Sequence, residues 1–150
     1  MVMDTELGLP DKNDIVQILR IENESFSEPW SEASFNELAE NKWHRIYCLK
    51  GGEDNAVRGY IGLAVSAPDA EITNLAVDKD LRGQGYGEKI LSQALEMLKK
   101  QGVTTVFLEV RRSNAAARGL YEKTGFEEIG VRKNYYNKPR EDAVVMKRNM

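Results

Sequence analysis

A chain of 150 residues, 41% hydrophobic and 30% charged, suits one globular domain over 1–150 that buries about 68–70% of its unfolded surface. A net charge of −3 argues against nonspecific nucleic-acid binding as the main activity, and one cysteine with one histidine excludes a disulfide framework and the usual structural zinc sites. The acidic start lacks the blocks of a secretory signal, and the longest apolar run, YIGLAV (60–65), is too short to span a bilayer, so a cytoplasmic protein with no membrane role is expected.

In chain order, DKNDIVQILRIENESF (11–26) carries Ile15, Ile18, Leu19 and Phe26 at helical spacing with Asp11 as a plausible N-cap. EPW breaks the pattern, and Ser31 caps a short helix holding Phe35 and Leu38. WHRIYCLK (43–50) and AVRGYIGLAVS (56–66) read as a hairpin joined by GGEDN, and AEITNLAVD (70–78) as a further strand. In an extended strand His44 and Cys48 stand ~13 Å apart, too far for a catalytic dyad. Cys48 reads as a small buried hydrophobe and His44 as a structural or surface residue.

The clearest helix places Ile90, Leu91, Ala94, Leu95 and Leu98 on one face, with Lys99 and Lys100 in its last turn and Gly102 at its stop. VTTVFLEV (103–110) is a strand, NAAARGLYEKTGF (114–126) a short helix capped by Asn114, and two last strands near 126–133 and 142–149 flank a basic loop. The sum is a mixed-sheet α/β fold.

LRGQGYGEKI (81–90) sets Gly83, Gly85 and Gly87 between a strand and that clearest helix. Strand, glycine turn and helix form a phosphate-binding arrangement, because glycines let phosphate oxygens reach the unpaired N–H groups of the helix start. Two well-known versions fail: the dinucleotide pattern needs glycine where Glu88 stands, and the NTPase loop needs Ser or Thr where Ile90 stands. Arg82-Gly83-Gln84-Gly85-Tyr86-Gly87 instead resembles the acetyl-CoA pyrophosphate loop of the GNAT acyltransferase superfamily.

The surrounding residues extend the resemblance. ITNLAVDKDLRGQGYG (72–87) is similar to the GNAT cofactor strand and loop, and FLEVRRSNAAARGLYEKTGF (107–126) to the next strand and helix. With NYY (134–136), REDAVVM (140–146) and EPWS (28–31), the pattern resembles the RimI-type branch, which acetylates protein N-terminal α-amines. The likeness spans nearly the whole chain and is densest over 70–146. It implies a GNAT fold, with a mostly antiparallel central sheet flanked by helices and splayed at the acetyl-CoA site.

The resemblance implies amine attack on the thioester of acetyl-CoA, with no metal. It carries the general base onto Glu109, acting through water, and the acid onto Tyr121; the plainer alternatives are a strand-end carboxylate paired with Arg111 or Arg112, and a core tyrosine beside Leu120. It implies that the backbone of Leu75, Ala76 and Val77 pairs with the pantetheine arm and that Arg82 to Glu88 wrap the pyrophosphate. Asn114 would bond the pantetheine side, although helix capping is an equally natural role. Glu88 and Gly119 depart from the commoner residues of relatives, the first toward mild repulsion of phosphate, the second toward a weaker helix.

On the acceptor side the resemblance implies a peptide channel framed by Glu28, Pro29, Trp30, Tyr135 and Tyr136, residues that ordinary packing would also explain. Residues 22–40 hold six glutamates (22, 24, 28, 32, 37 and 40) and no Lys or Arg. At a channel entrance they would steer a basic peptide such as a ribosomal protein tail; otherwise they are solvated helix faces. A free α-amine, with pKa about 7.7–8.0, is roughly 20–30% neutral near pH 7.4 against about 0.1% for lysine. A modest base relayed by water therefore suits a chain terminus. That difference in protonation does not choose the substrate; the resemblance implies as acceptor the α-amine of a small-subunit ribosomal protein that begins with alanine. A protein lysine or small amine is the rival acceptor. An acyl-CoA-binding module without activity and a nucleic-acid binder using VRKNYYNKPR (131–140) are the rivals of another class.

Overall fold

The computed structural model describes residues 6–52 and 54–150. Strand β1 (Glu6–Gly8) is followed by α1 (Lys12–Ser25), α2 (Glu32–Glu40), β2 (His44–Gly51), β3 (Ala56–Ser66) and β4 (Asp69–Val77). A 3-10 turn (Lys79–Leu81) leads to α3 (Tyr86–Lys100), then β5 (Thr105–Arg111), α4 (Ala115–Lys123), β6 (Glu127–Tyr136) and β7 (Glu141–Asn149). The seven strands form one open sheet in the order β1-β2-β3-β4-β5-β7-β6. Among the described residues only the β4–β5 pair is parallel, because α3 supplies the crossover that a parallel pair requires. Among the described residues no helix is long and apolar enough to cross a membrane.

Helices α1, α2 and α4 start where side chains satisfy their free N–H groups. Asp11 accepts from the Asp14 amide and Asp14 from the Asp11 amide, both at 2.9 Å, a reciprocal box at the head of α1. Ser31 caps α2 through the Ser34 amide at 3.1 Å, and Asn114 caps α4 through the Ala117 amide at 3.1 Å. Strand β1 and the reach of β6 to Tyr136 are the elements that local pattern did not reveal. The tyrosines expected in a loop thus stand at the end of a strand.

Asp14 is buried and joined to Lys50 at 2.8 Å. Burial works to raise its carboxyl, but hydrogen bonds from Lys50 and from the Asp11 amide outweigh it and hold the group below its ordinary value. A depressed carboxylate stabilises the fold above its unfolded pKa and loses that contribution as pH falls through the folded one. Asp14→Asn should therefore be about 1–2 kcal/mol less stable at neutral pH. The gap should narrow as pH drops below about 4, as measured by urea unfolding at a series of pH values.

Each face of the sheet has its own apolar layer. Ile90, Leu91, Ala94, Leu95 and Leu98 of α3 pack on Leu63, Ile72, Val106, Leu108 and Met146. On the other face Ile18 and Ile21 of α1 and Phe35 of α2 cover Ile46, Cys48 and Tyr60. Cys48 is 1% exposed, and burial pushes its thiol up to about 11, as suits a small packed hydrophobe.

What positions the site is a break in the sheet. Strands β4 and β5 pair only from Asp69↔Thr105 to Ile72↔Leu108; beyond that, β4 runs on to Val77 and β5 to Arg111 without each other. The break begins at a bulge, since β3 pairs Leu63 with Ile72 but Gly62 with Asn74, leaving Thr73 as the extra residue. Thr73 and Asn74 consequently both turn toward the helices α1 and α2, bonding His44 at 3.0 Å and Glu22 at 2.8 Å. Gly62 is required there: a Cβ would lie 2.6 Å from the Thr73 hydroxyl oxygen.

Candidate active site

Two depressions lie along β4 at the splay, one lined by residues 75–77 and the other by residues 71–74. The first, of about 350 Å³, is walled by Leu75, Ala76 and Val77 of β4, by the turn residues Arg82, Gly83, Gly85, Tyr86 and Gly87, and by Asn114, Leu120 and Tyr121. The β5-facing edge of β4 past Ile72 has lost its strand partner, which leaves main-chain groups for an extended ligand to pair with. Gly83 and Gly85 hold φ of 78° and 89°, left-handed values that a side chain disfavours. Gly85 is also the N-cap of α3 and provides no side-chain cap, so the first N–H groups of this helix lack the partner that α1, α2 and α4 have. An edge without a strand, an uncapped helix start and open space beside Gly83 fit a pantetheine arm ending in a pyrophosphate.

The predicted cofactor residues divide within this wall. Arg82 points its guanidinium at the Ser25 hydroxyl (3.0 Å) and the Val77 carbonyl (3.3 Å), tying the turn to α1 and β4. Gln84 and Glu88 do not line the cavity. Gln84 donates to the Asp80 carbonyl at 3.5 Å, and Glu88 pairs with Lys123 at 2.9 Å, which offsets the repulsion expected of it toward phosphate. Tyr86 buries its side chain in the α3 core layer, so only its main chain serves the turn. Asn114 has its capping role and also borders the cavity.

The second depression lies on the helix α1 and α2 side of the sheet and holds about 440 Å³. Trp30, Thr73, Asn74, Tyr135 and Tyr136 line it, and Glu109 reaches it from β5. Trp30 sets its ring edge-on to buried His44 at 5.8 Å and tilted on Phe35 at 6.2 Å. Burial pushes the His44 imidazole below its ordinary value, so it is neutral near pH 7. Glu28 and Pro29 do not line this groove; Glu28 is exposed to solvent.

Glu109 is paired, though not as expected. Arg111 and Arg112 turn to Glu141 (3.3 Å) and Asp142 (3.6 Å), and Glu109 takes Arg132 of β6 at 3.1 Å. Its Oε1 takes the guanidinium, and its buried Oε2 has no hydrogen-bond partner among the described residues. Tyr121 is 7% exposed and packs edge-on against Phe126 at 5.7 Å. Burial, with the neighbouring Tyr136 phenol, pushes its hydroxyl well above the ordinary tyrosine range. Tyr136 is likewise pushed up to about 12, by burial and then by the charge of Glu109. Both phenols remain proton-bearing at any physiological pH.

Sequence reasoning missed two residues that build the groove. Glu22, expected with the entrance glutamates, is 1% exposed and not at an entrance. Its carboxylate accepts from the Tyr60 hydroxyl, from Asn74 at 2.8 Å and from the Trp30 amide at 2.9 Å. Three donors around one acceptor-only group explain how an acid is tolerated there. The other is Arg111, which bonds the carbonyls of Asn137 (2.7 Å) and Pro139 (2.9 Å) and the Ser27 hydroxyl (3.0 Å), and lies 4.5 Å from the Tyr136 ring centre. It clamps the turn after β6 to the segment before Trp30.

Similarity to known proteins agrees with this geometry. The sequence profile of the Acetyltransferase (GNAT) family matches residues 15–126. A ribosomal protein bS18-alanine N-acetyltransferase of Haemophilus influenzae is 40% identical over 136 residues, 89% of this chain and 90% of the relative. That of Escherichia coli is 37% identical over 138 residues, 91% of each. The crystal structure of the Escherichia coli ribosomal-protein-S18-alanine N-acetyltransferase superposes with a TM-score of 0.86 at 33% identity, covering 97% of this chain and 93% of that one. The chain therefore belongs to the GNAT family of N-acetyltransferases, enzymes that move an acetyl group from acetyl-CoA to an amine.

Proposed function

We propose that the protein acetylates the N-terminal α-amine of a protein, the acceptor being a ribosomal protein that begins with alanine. The observation that carries this reading is the near full-length similarity to bS18-alanine N-acetyltransferases of two bacteria. In this reading the acetyl-CoA thioester enters from the cavity beside Tyr121, and the amine approaches through the groove beside Glu109. Oε2 of Glu109, without a hydrogen-bond partner among the described residues, takes the ammonium proton through water, and the neutral nitrogen attacks the thioester carbonyl. The attacking nitrogen then releases its second proton to water, the carbon–sulfur bond breaks as the carbonyl re-forms, and the Tyr121 hydroxyl bonds the departing sulfur. A phenol held above its ordinary pKa cannot fully protonate a finished thiolate, whose conjugate acid is near 8.5. Its donation therefore accompanies cleavage, or stays a hydrogen bond to the developing charge.

The test uses two peptides incubated with enzyme and acetyl-CoA and read by mass spectrometry. One begins with a free alanine and contains an internal lysine, and its twin has a blocked N-terminus. A single acetyl group on the free α-amine, with the twin unmodified, is the expected result. Acetylation of the twin's lysine moves the acceptor to a lysine side chain and refutes the α-amine reading.

A further inference from the structure

The groove continues past Glu109. A third depression of about 400 Å³, running toward Asp69 and Val145, shares Trp43, Ala64, Glu71 and Glu109 with the acceptor groove. The two make one track along the β4–β5 seam. Glu71 stands on it because residues 69, 71 and 73 of β4 face this side of the sheet, while Ala70 and Ile72 are buried on the other. In the parallel register Glu71 lies opposite Phe107, so Glu109 stands two residues further on and about 7 Å along the seam.

Charge along this track is unbalanced. Glu109 has Arg132 at 3.1 Å, whereas Glu71 has no ion pair within 4 Å among the described residues. Partial desolvation by the groove walls, and then the charge of Glu109, hold the Glu71 carboxyl above its ordinary value, with Arg132 opposing. Two carboxylates thus face one guanidinium. Trp43, 58% exposed, lines the same groove, and its ring already carries the Lys42 ammonium at 4.8 Å. An aromatic face and a carboxylate together suit a long cationic side chain, with its stem on the ring and its charge at the acid.

Resting on the α-amine reading above, we propose that Glu71 determines specificity at the acceptor's second residue, favouring lysine or arginine there. With the amine at Glu109 and the thioester entering from the splay, the acceptor chain leaves along the seam past Glu71. An extended peptide advances about 3.3 Å per residue. The second side chain therefore starts between the two carboxylates, within a lysine's or arginine's reach of Glu71.

The test uses three peptides that begin with alanine and differ only at the second residue: arginine, glutamine or glutamate. Wild type should prefer arginine over glutamine by about five- to tenfold in kcat/KM, chiefly through KM. Glu71→Gln should bring the three within about twofold of one another, and Glu71→Lys should invert the order in favour of glutamate. An arginine preference that survives in Glu71→Gln, or equal rates for all three peptides with wild type, overturns the assignment and leaves α-amine acetylation standing. No acetylation of any of the three by wild type overturns the α-amine reading, and the assignment with it. The reversal in Glu71→Lys requires a folded enzyme, so it separates selection by charge from simple damage.

Discussion

Replacing Tyr121 by phenylalanine is expected to lower turnover about 100-fold and to leave acetyl-CoA affinity within about twofold of wild type. The ring is 7% exposed and held edge-on by Phe126 at 5.7 Å. Phenylalanine keeps that packing and removes only the hydroxyl. If this group serves the leaving sulfur, its loss appears in kcat and not in binding. Stopped-flow detection of free coenzyme A thiol, beside calorimetric titration with acetyl-CoA, measures the two separately. The pH profile adds a second check. Because burial and Tyr136 raise the phenol above its ordinary value, it remains a donor up to about pH 10. Wild-type turnover should therefore show no loss between about pH 8 and 10 that Tyr121→Phe abolishes. Unchanged turnover in the variant would remove Tyr121 from the mechanism.

The second large effect is expected at Glu109. Glu109→Gln keeps the shape but cannot take a proton, and kcat/KM near pH 7 should fall by about 10²–10³-fold. The residual rate should recover with alkali, close to tenfold per pH unit up to about pH 8, because an α-amine with pKa about 7.7–8.0 then loses its proton to solvent. Arg132 complicates a simple deletion, since Glu109→Gln also leaves its guanidinium without its carboxylate partner. Arg132→Gln separates the two effects. It removes the cation beside Glu109 but retains the base, so its loss of activity should be smaller and should lack the alkaline recovery. Initial rates from pH 6 to 9 with an alanine-initial peptide measure all three proteins. A pH profile of Glu109→Gln parallel to wild type would show that Glu109 takes no proton.

Much of the fold was legible from local signals. Asp11, Ser31 and Asn114 each cap the helix they were expected to start, because capping depends on residues three apart. The apolar face of α3 was equally plain, since one helix repeats its own pattern. Strand β1 was not, as three residues carry no readable period and owe their form to pairing with Leu49 and its neighbours. The basic stretch after residue 131 read as a loop because its exposed strand alternates no apolar residues; pairing with β7 makes it a strand.

At the site the same division holds. The sequence alone determined the order of strand, glycine turn, helix, strand and capped helix, and the family resemblance of those runs implied the candidate cofactor wall and the pair Glu109 and Tyr121. The runs are contiguous, so a local pattern is enough to carry the resemblance. Only the tertiary structure decided that Glu22 is a buried acceptor of three hydrogen bonds, that Glu109 takes Arg132 in place of Arg111, and that Glu71 shares one groove with Glu109 and Trp43. Each joins elements that lie many residues apart. Glu22 and Asn74 are separated by 52 positions, and a carboxylate on an amphipathic helix has the same local signature whether it meets water or three donors. Which one it meets is set by the bulge at Thr73 and the packing of α1 on the sheet, a consequence of long-range pairing that a local pattern does not encode.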